Sequence, residues 1–309
     1  MTTKKPLALS TMFAQQSRFE DGAHFARFAA EAGYDAIEIS HSTRADKLQQ
    51  IIECATLPIT SVHQPAPWVA HRDGRGNSHC NLAAVVADER EAALGYARES
   101  IRWAGRIGVD RLVVHLGQVG DEPEMFPEEL EMRRMYDSGR AEEPRFAELR
   151  HAVIRKRQEQ RGPYVEAARE TLLALVREAE PHGIAIGLEN RYHYHEIPLV
   201  DEYDELLEGL SLDQAGYWHD VGHAEVLDRL GFVDKRAWLD AHSARTIGAH
   251  LHDVLGIGDH RSPGDGDVDW GYVVEGLRHL PRYTLEINQH QPDERVVESV
   301  AFLEGLGLR

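Results

Sequence analysis

A chain of 309 residues could hold two domains of ordinary size, but it is also a usual length for one closed β/α barrel, so length leaves both open. Hydrophobic residues make up 42% of it, enough for a sizeable core, while no apolar run approaches the roughly 20 residues that span a bilayer. The formal net charge of -18 argues against a nucleic-acid partner, because such a partner is held mostly by Lys and Arg on its phosphates.

From the N-terminus, the stretch MTTKKPLALSTMF reads as a first strand rather than a signal peptide, since no small-residue cleavage pattern follows a full apolar region. A cytoplasmic protein without a membrane partner is expected. Cys54 and Cys80 lie outside any CxxC pair and read as reduced thiols. The chain shows no repeat of about 20–50 residues. Its rhythm is instead strand, then amphipathic helix. Short apolar runs at 7–10, 36–40, 59–63, 111–115, 184–189, 216–220, 247–251 and 283–287 suit strands buried on both faces of a parallel sheet.

Helical patterns fill the gaps. DGAHFARFAAEAGYD places Phe25, Phe28 and Ala29 on one face and ends at Gly33. VVADEREAALGYARESIRWAGRIGVD behaves alike and stops at Gly108, and a third helix is expected to begin near Pro163 and end near Pro181 and Gly183. PGDGDVDW reads as a turn and a helix start with Asp269 as N-cap, and DERVVESVAFLEGLG as a closing helix. Eight strands, each followed by a helical segment, predict an α/β fold: a single (β/α)8 TIM barrel over residues 1–309. Two long loops interrupt it. PAPWVAHRDGRGNSHCNL follows strand three, and a charged helical insertion over about 118–161 follows strand four, so both overhang the barrel mouth. The second far exceeds an ordinary βα loop of about 2–6 residues. A solvated excursion, a lid and a contact in a homo-oligomer are all compatible with it.

The polar residues fall at informative places. His63, His115, Glu189, Asp220 and Glu286 end apolar strands, and His250 lies within the last residues of its own. In a barrel all strands point one way, so these groups converge on the C-terminal mouth. Carboxylates crowded into a dry pocket need compensation, which a divalent cation with Glu, Asp and His ligands supplies. In WHDVGH, His223 lies three residues beyond Asp220 and could face the same mouth. By strand alternation the adjacent His219 points away and is structural, and His250 and His252 point to one side, with His252 at or past the strand end. Each residue taken singly is more often a helix cap or a core group; the set is hard to explain so.

The pieces GYDAIEIS, SVHQP, VVHLG, IGLEN, YWHDVGHA, AHLHD, HRSPGDGDVDW and LEIN, in this order, resemble the xylose isomerase-like barrel superfamily, which includes sugar isomerases and epimerases and endonuclease IV. The resemblance covers nearly the whole chain outside the two insertions. It implies one divalent ion (Mn, Mg, Co or Zn) held by Glu189, Asp220, His250 and Glu286. Both glutamates would double as acid–base groups on opposite faces of a small carbohydrate substrate, with His223 on a substrate oxygen. The implied reaction is isomerisation or epimerisation of a small sugar, sugar acid or keto-polyol by proton transfer through a metal-stabilised enediolate. Trp68, in the loop after strand three, is a candidate apolar wall. The resemblance also matches His63, His115, His223 and His260 to the additional zinc ligands of endonuclease IV. Gly258 stands where that enzyme has an aspartate, and Asp259 could substitute only with a shifted loop. Alternatives on the same scaffold are a metal-dependent dehydratase or lyase, a zinc phosphodiesterase and a silent metal- or ligand-binding protein.

Overall fold

A computed structural model describes residues 4–121 and 125–309; residues 1–3, and 122–124 within the expected 118–161 insertion, lie outside the described residues. Eight parallel strands close into a barrel: β1 Leu7–Ser10, β2 Ala36–Ile39, β3 Ile59–His63, β4 Arg111–Val114, β5 Ala185–Glu189, β6 Ala215–Asp220, β7 Thr246–Leu251 and β8 Tyr283–Leu285. They stand in chain order around the ring, with β1 bonded to both β2 and β8. Most strand residues are buried, which is why these segments read as continuous apolar runs without alternation.

Ten α-helices accompany them among the described residues: α1 Gly22–Glu31, α2 Ala45–Cys54, α3 Ala87–Ile107, α4 Pro127–Asp137, α5 Pro144–Ala179, α6 Tyr203–Leu207, α7 Val221–Arg229, α8 Lys235–His242, α9 Trp270–Leu277 and α10 Asp293–Gly305. Local chemistry sets their ends. Asp21 accepts from the backbone N–H of Ala23 to open α1, and Asp269 does the same for Tyr272 in α9. Gly108 ends α3 in the left-handed conformation at φ 81, which a side chain would resist.

One helix departs from expectation. Instead of beginning near Pro163, α5 runs unbroken for 36 residues from Pro144, with Pro163 inside it. Proline forfeits one helical hydrogen bond, but tertiary contacts carry the segment through. Phe146, Leu149 and Val153 are buried, and Arg157 makes two hydrogen bonds of 2.7 and 2.9 Å to the buried Glu202, joined by Arg161 at 2.8 Å. The first half of α5 therefore belongs to the insertion and the second half to the helical ring. Among the described residues, no helix is long and apolar enough to cross a membrane.

Beneath the mouth, Trp218 of β6 fills the barrel interior. A side chain at Gly248 or Gly187, on the flanking strands, would collide with its ring. The indole meets His250 edge-on at 5.3 Å between centroids, giving the mouth a solid floor.

Candidate metal centre and its cavity

Glu189 and Asp220 are the last residues of β5 and β6, His250 lies in β7 opposite Asp220, and Glu286 follows β8 directly. Parallel register thus brings four residues from across 97 positions of sequence together, and one ligand atom of each lies within 4.8 Å of the others. All four are buried. His250 Nδ1 stands at the centre, 2.5 Å from Glu189 Oε1, 3.2 Å from Glu286 Oε2 and 3.7 Å from Asp220 Oδ2.

A surrounding shell orients each member. The other nitrogen of His250 meets Glu38 Oε1 at 2.9 Å, and Glu38 Oε2 accepts from Ser61 Oγ at 2.6 Å. Such a carboxylate behind an imidazole fixes its ring and tautomer. Asn190 clasps the end of β6, accepting from the Asp220 backbone N–H at 2.7 Å and donating to the Asp220 carbonyl at 2.9 Å. The Asp220 carboxylate caps α7 through the His223 N–H at 2.7 Å and accepts from His252 Nε2 at 2.9 and 3.0 Å. His252 Nδ1 accepts from the His260 N–H at 2.8 Å, so its proton sits on Nε2 and points at Asp220. The next-door His219 faces away, against the Tyr217 hydroxyl, as strand alternation requires.

The electrostatics follow from this crowding. Burial alone would raise every carboxylate, but His250 and His63 hold Glu189 and Glu286 well below the usual range, and His223 and His252 do so for Asp220. Burial likewise disfavours charge on His63, yet the two glutamates outweigh it and raise the imidazole to about 9. Three carboxylates and a central imidazole gathered in one small buried volume fit a divalent cation by number and type of donor.

The expected additional residues also reach the mouth. His63 Nε2 and His115 Nε2 lie 2.7 Å apart and 3.5 and 2.7 Å from Glu189 Oε2, forming a second donor group that shares Glu189 with the first. His223 and His260 each donate Nδ1–H to a backbone carbonyl, of Asn190 and Glu286, leaving Nε2 turned to Asp259 at 3.7 and 3.5 Å. His260 itself takes a positive φ of 52. Trp68 does not join them. Its backbone pairs with Thr43 and Arg44 in the loop after β2, which turns the indole to the surface, 37% exposed and outside the cavity lining.

A cavity of about 740 Å³ opens above the cluster. His63, His115, His223, His260 and Glu286 line its floor, and Leu130 of α4 and Met125 line a wall, so the insertion does border the mouth. Residues that strand-end reasoning missed include Glu38, His252, Arg191 and the His193–His195 pair. Arg191 reaches Glu189 Oε2 at 2.9 Å and is itself held on Glu196 at 3.1 and 3.0 Å. An acidic residue, Glu38, inside a wholly buried strand, and the HLH spacing of His250 and His252, were signals available in the sequence.

Fold and site together define a closed (β/α)8 barrel with an acid–imidazole cluster at its C-terminal mouth. The chain belongs to the xylose isomerase-like TIM barrel family, whose model matches residues 26–306. An uncharacterized protein, y4fM, of Sinorhizobium fredii (strain NBRC 101917 / NGR234) is 32% identical over 98 residues, 31% of this chain and 30% of that protein, so the match spans about a third of the relative's length. Among solved structures, a D-tagatose 3-epimerase-like protein superposes with a TM-score of 0.65 at 20% identity, covering 97% of this chain and 96% of the other. The 3-keto-D-glucoside 4-epimerase YcjR of E. coli gives 0.66 at 15% identity, covering 98% and 100%. At these identities the likeness establishes the fold.

Proposed function

We propose that the protein is a divalent-metal-dependent isomerase or epimerase of a small sugar, sugar acid or related keto-polyol. The observation that carries this reading is the buried set Glu189, Asp220, His250 and Glu286 at the foot of a cavity of about 740 Å³. The names of the superposable structures, both sugar epimerase-related, support the substrate class. A divalent ion held by this set would supply Lewis-acid polarisation of a carbonyl and stabilisation of the negative charge that grows as a neighbouring C–H bond breaks. That help is needed, because a carboxylate with a pKa of about 4.3 is far too weak a base for an unpolarised sugar C–H.

The chain's own groups do the rest. Glu286 offers Oε1 to take and return the proton α to the carbonyl. His223 and His260, with fixed tautomers, present Nε2 to substrate hydroxyls. Trp218 seals the floor and Leu130 covers one wall, limiting water around the reacting carbon. Metal analysis should find a divalent ion, and the loaded protein should exchange a carbon-bound proton of ketoses with deuterium oxide. Glu286→Gln should lower that exchange by about 10²–10⁴-fold with an unchanged circular dichroism spectrum. Undiminished exchange in this variant refutes the assignment.

One observation favours a second reading. The His63, His115 and Glu189 group, and the three imidazoles His223, His252 and His260, offer places for further ions. A site with three tightly bound zinc ions fits a phosphodiesterase, whereas one ion per chain fits the isomerase. A dehydratase on the same residues would be revealed by loss of a hydroxyl in the NMR spectrum of the product.

A further inference from the structure

We infer that proton transfer in this site runs on one face of the substrate, through Glu286, while Arg191 holds Glu189 away from it. The inference rests on the isomerase reading and narrows it to a same-face transfer between neighbouring carbons, an aldose–ketose isomerisation, rather than inversion at one carbon.

The two glutamates are chemically identical but are not treated alike. Glu189 Oε1 faces His250 Nδ1 at the centre of the cluster. Its other oxygen accepts from Arg191 Nη1 at 2.9 Å and lies 2.7 Å from His115 Nε2, whose hydrogen-bond partner is His63 Nε2 at 2.7 Å. Arg191 cannot readily swing away. Its Nε and Nη2 are held by Glu196 Oε1, and Glu196 Oε2 in turn accepts from the His193 backbone N–H at 2.8 Å. Asp220 is occupied in the same way, by the His223 N–H and His252 Nε2. Glu286 differs. Its Oε2 lies toward His250, but its Oε1 has no hydrogen bond, standing 3.4 Å from His63 Nδ1, and the residue lines the cavity while Glu189 and Asp220 do not.

The chemistry balances with this one carboxylate. Glu286 Oε1 takes the proton from the carbon next to the carbonyl, and the C–H electron pair becomes the C=C bond of an enediolate. The same oxygen then delivers that proton to the former carbonyl carbon from the same side. The hydroxyl proton of the first carbon moves to the oxygen of the second, so nothing is added or lost. Inversion at a single carbon would need delivery from the opposite face by a second acid, and Glu189, tied to Arg191 and outside the cavity lining, is not presented for that.

Dihydroxyacetone tests this directly, because each of its carbons carries two hydrogens on opposite faces. The Mn-loaded full-length protein in deuterium oxide should replace one hydrogen of each CH₂, giving CHD groups in the proton NMR spectrum and no CD₂. Arg191→Met should free Glu189 and bring the second hydrogen into exchange, about 10²-fold faster than in the native protein. A crystal of the Mn form with glycolohydroxamate, an enediolate mimic, should show Glu286 Oε1 on the mimic and Glu189 Oε2 still on Arg191 and His115. CD₂ formed by the native protein, or Glu189 Oε2 turned onto the mimic, overturns the inference. Should Arg191→Met fail to fold, the native CHD pattern and the crystal decide. Absence of any exchange would refute the isomerase reading, and the crystal would still show which glutamate meets the mimic.

Discussion

Glu38 shows how much a residue remote from the strand ends can matter. It is wholly buried within β2, with one oxygen on His250 Nε2 and the other on Ser61. An unpaired carboxylate there would be costly, so a paired one points to a role, that of holding His250 with Nδ1 toward the other three donors. Glu38→Ala should weaken Mn binding by about 10–100-fold in calorimetry, while Glu38→Gln, which keeps a hydrogen-bonding oxygen, should lose less. Equal losses in both, or none, would assign Glu38 to the fold alone. The sequence displayed this residue in AIEI, yet attention to strand termini passes over an acid lying deeper in the strand. His63, His115, Glu189, Asp220, His250 and Glu286 were legible because parallel strands must end at a common mouth. Arg191 and His193 were not, since they lie in a loop whose path no periodicity encodes, and Trp68 was placed at the mouth by its loop alone, whose later residues Ser78 to Asn81 line the cavity while Trp68 does not.

At the scale of elements, the insertion is fastened to the site rather than hung above it. Glu129 of α4 is fully buried and accepts from Arg133 at 2.8 Å, with His193 Nδ1 at 3.3 Å and the Tyr194 N–H at 3.2 Å, in the loop that carries Arg191. Burial would raise its pKa, but His193, His195 and Arg133 hold it below the ordinary carboxylate range. A depressed folded pKa gives stability present above the unfolded value of about 4.3 and lost as pH falls through the folded value. Glu129→Gln leaves Arg133 and two imidazoles without their anion and should cost about 3–5 kcal/mol in urea unfolding at pH 7. Its stability deficit against the native protein should shrink under acid conditions; a deficit independent of pH would contradict the ion-pair account. The strands were legible as elements because buried parallel strands carry unbroken apolar runs. The start of α5 was not: Pro163 signals a helix start locally, while contacts distant in sequence, among them the buried Arg157–Glu202 pair and the buried Phe146, Leu149 and Val153, carry the helix through it.

For the whole molecule, closure is what makes a site at all. Glu189 and Glu286 are nearly 100 residues apart in sequence, and no local motif joins them. An ion that binds only this folded arrangement stabilises it by mass action, by about 2.7 kcal/mol when present at 100 times its dissociation constant. Mn should therefore raise the melting temperature and a chelator should lower it, and a melting curve indifferent to both would speak against a resident divalent ion.

The barrel's staves are not shared evenly by the four ligands. All four come from the consecutive strands β5 to β8, the half of the ring made by the C-terminal part of the chain, while β2 and β3 lend only Glu38 and His63 behind them. An ion seated here acts as a rivet through half of a hoop. Amide protons of β5 to β8 should exchange with solvent more slowly once it is in place, and those of β1 to β4 should slow much less.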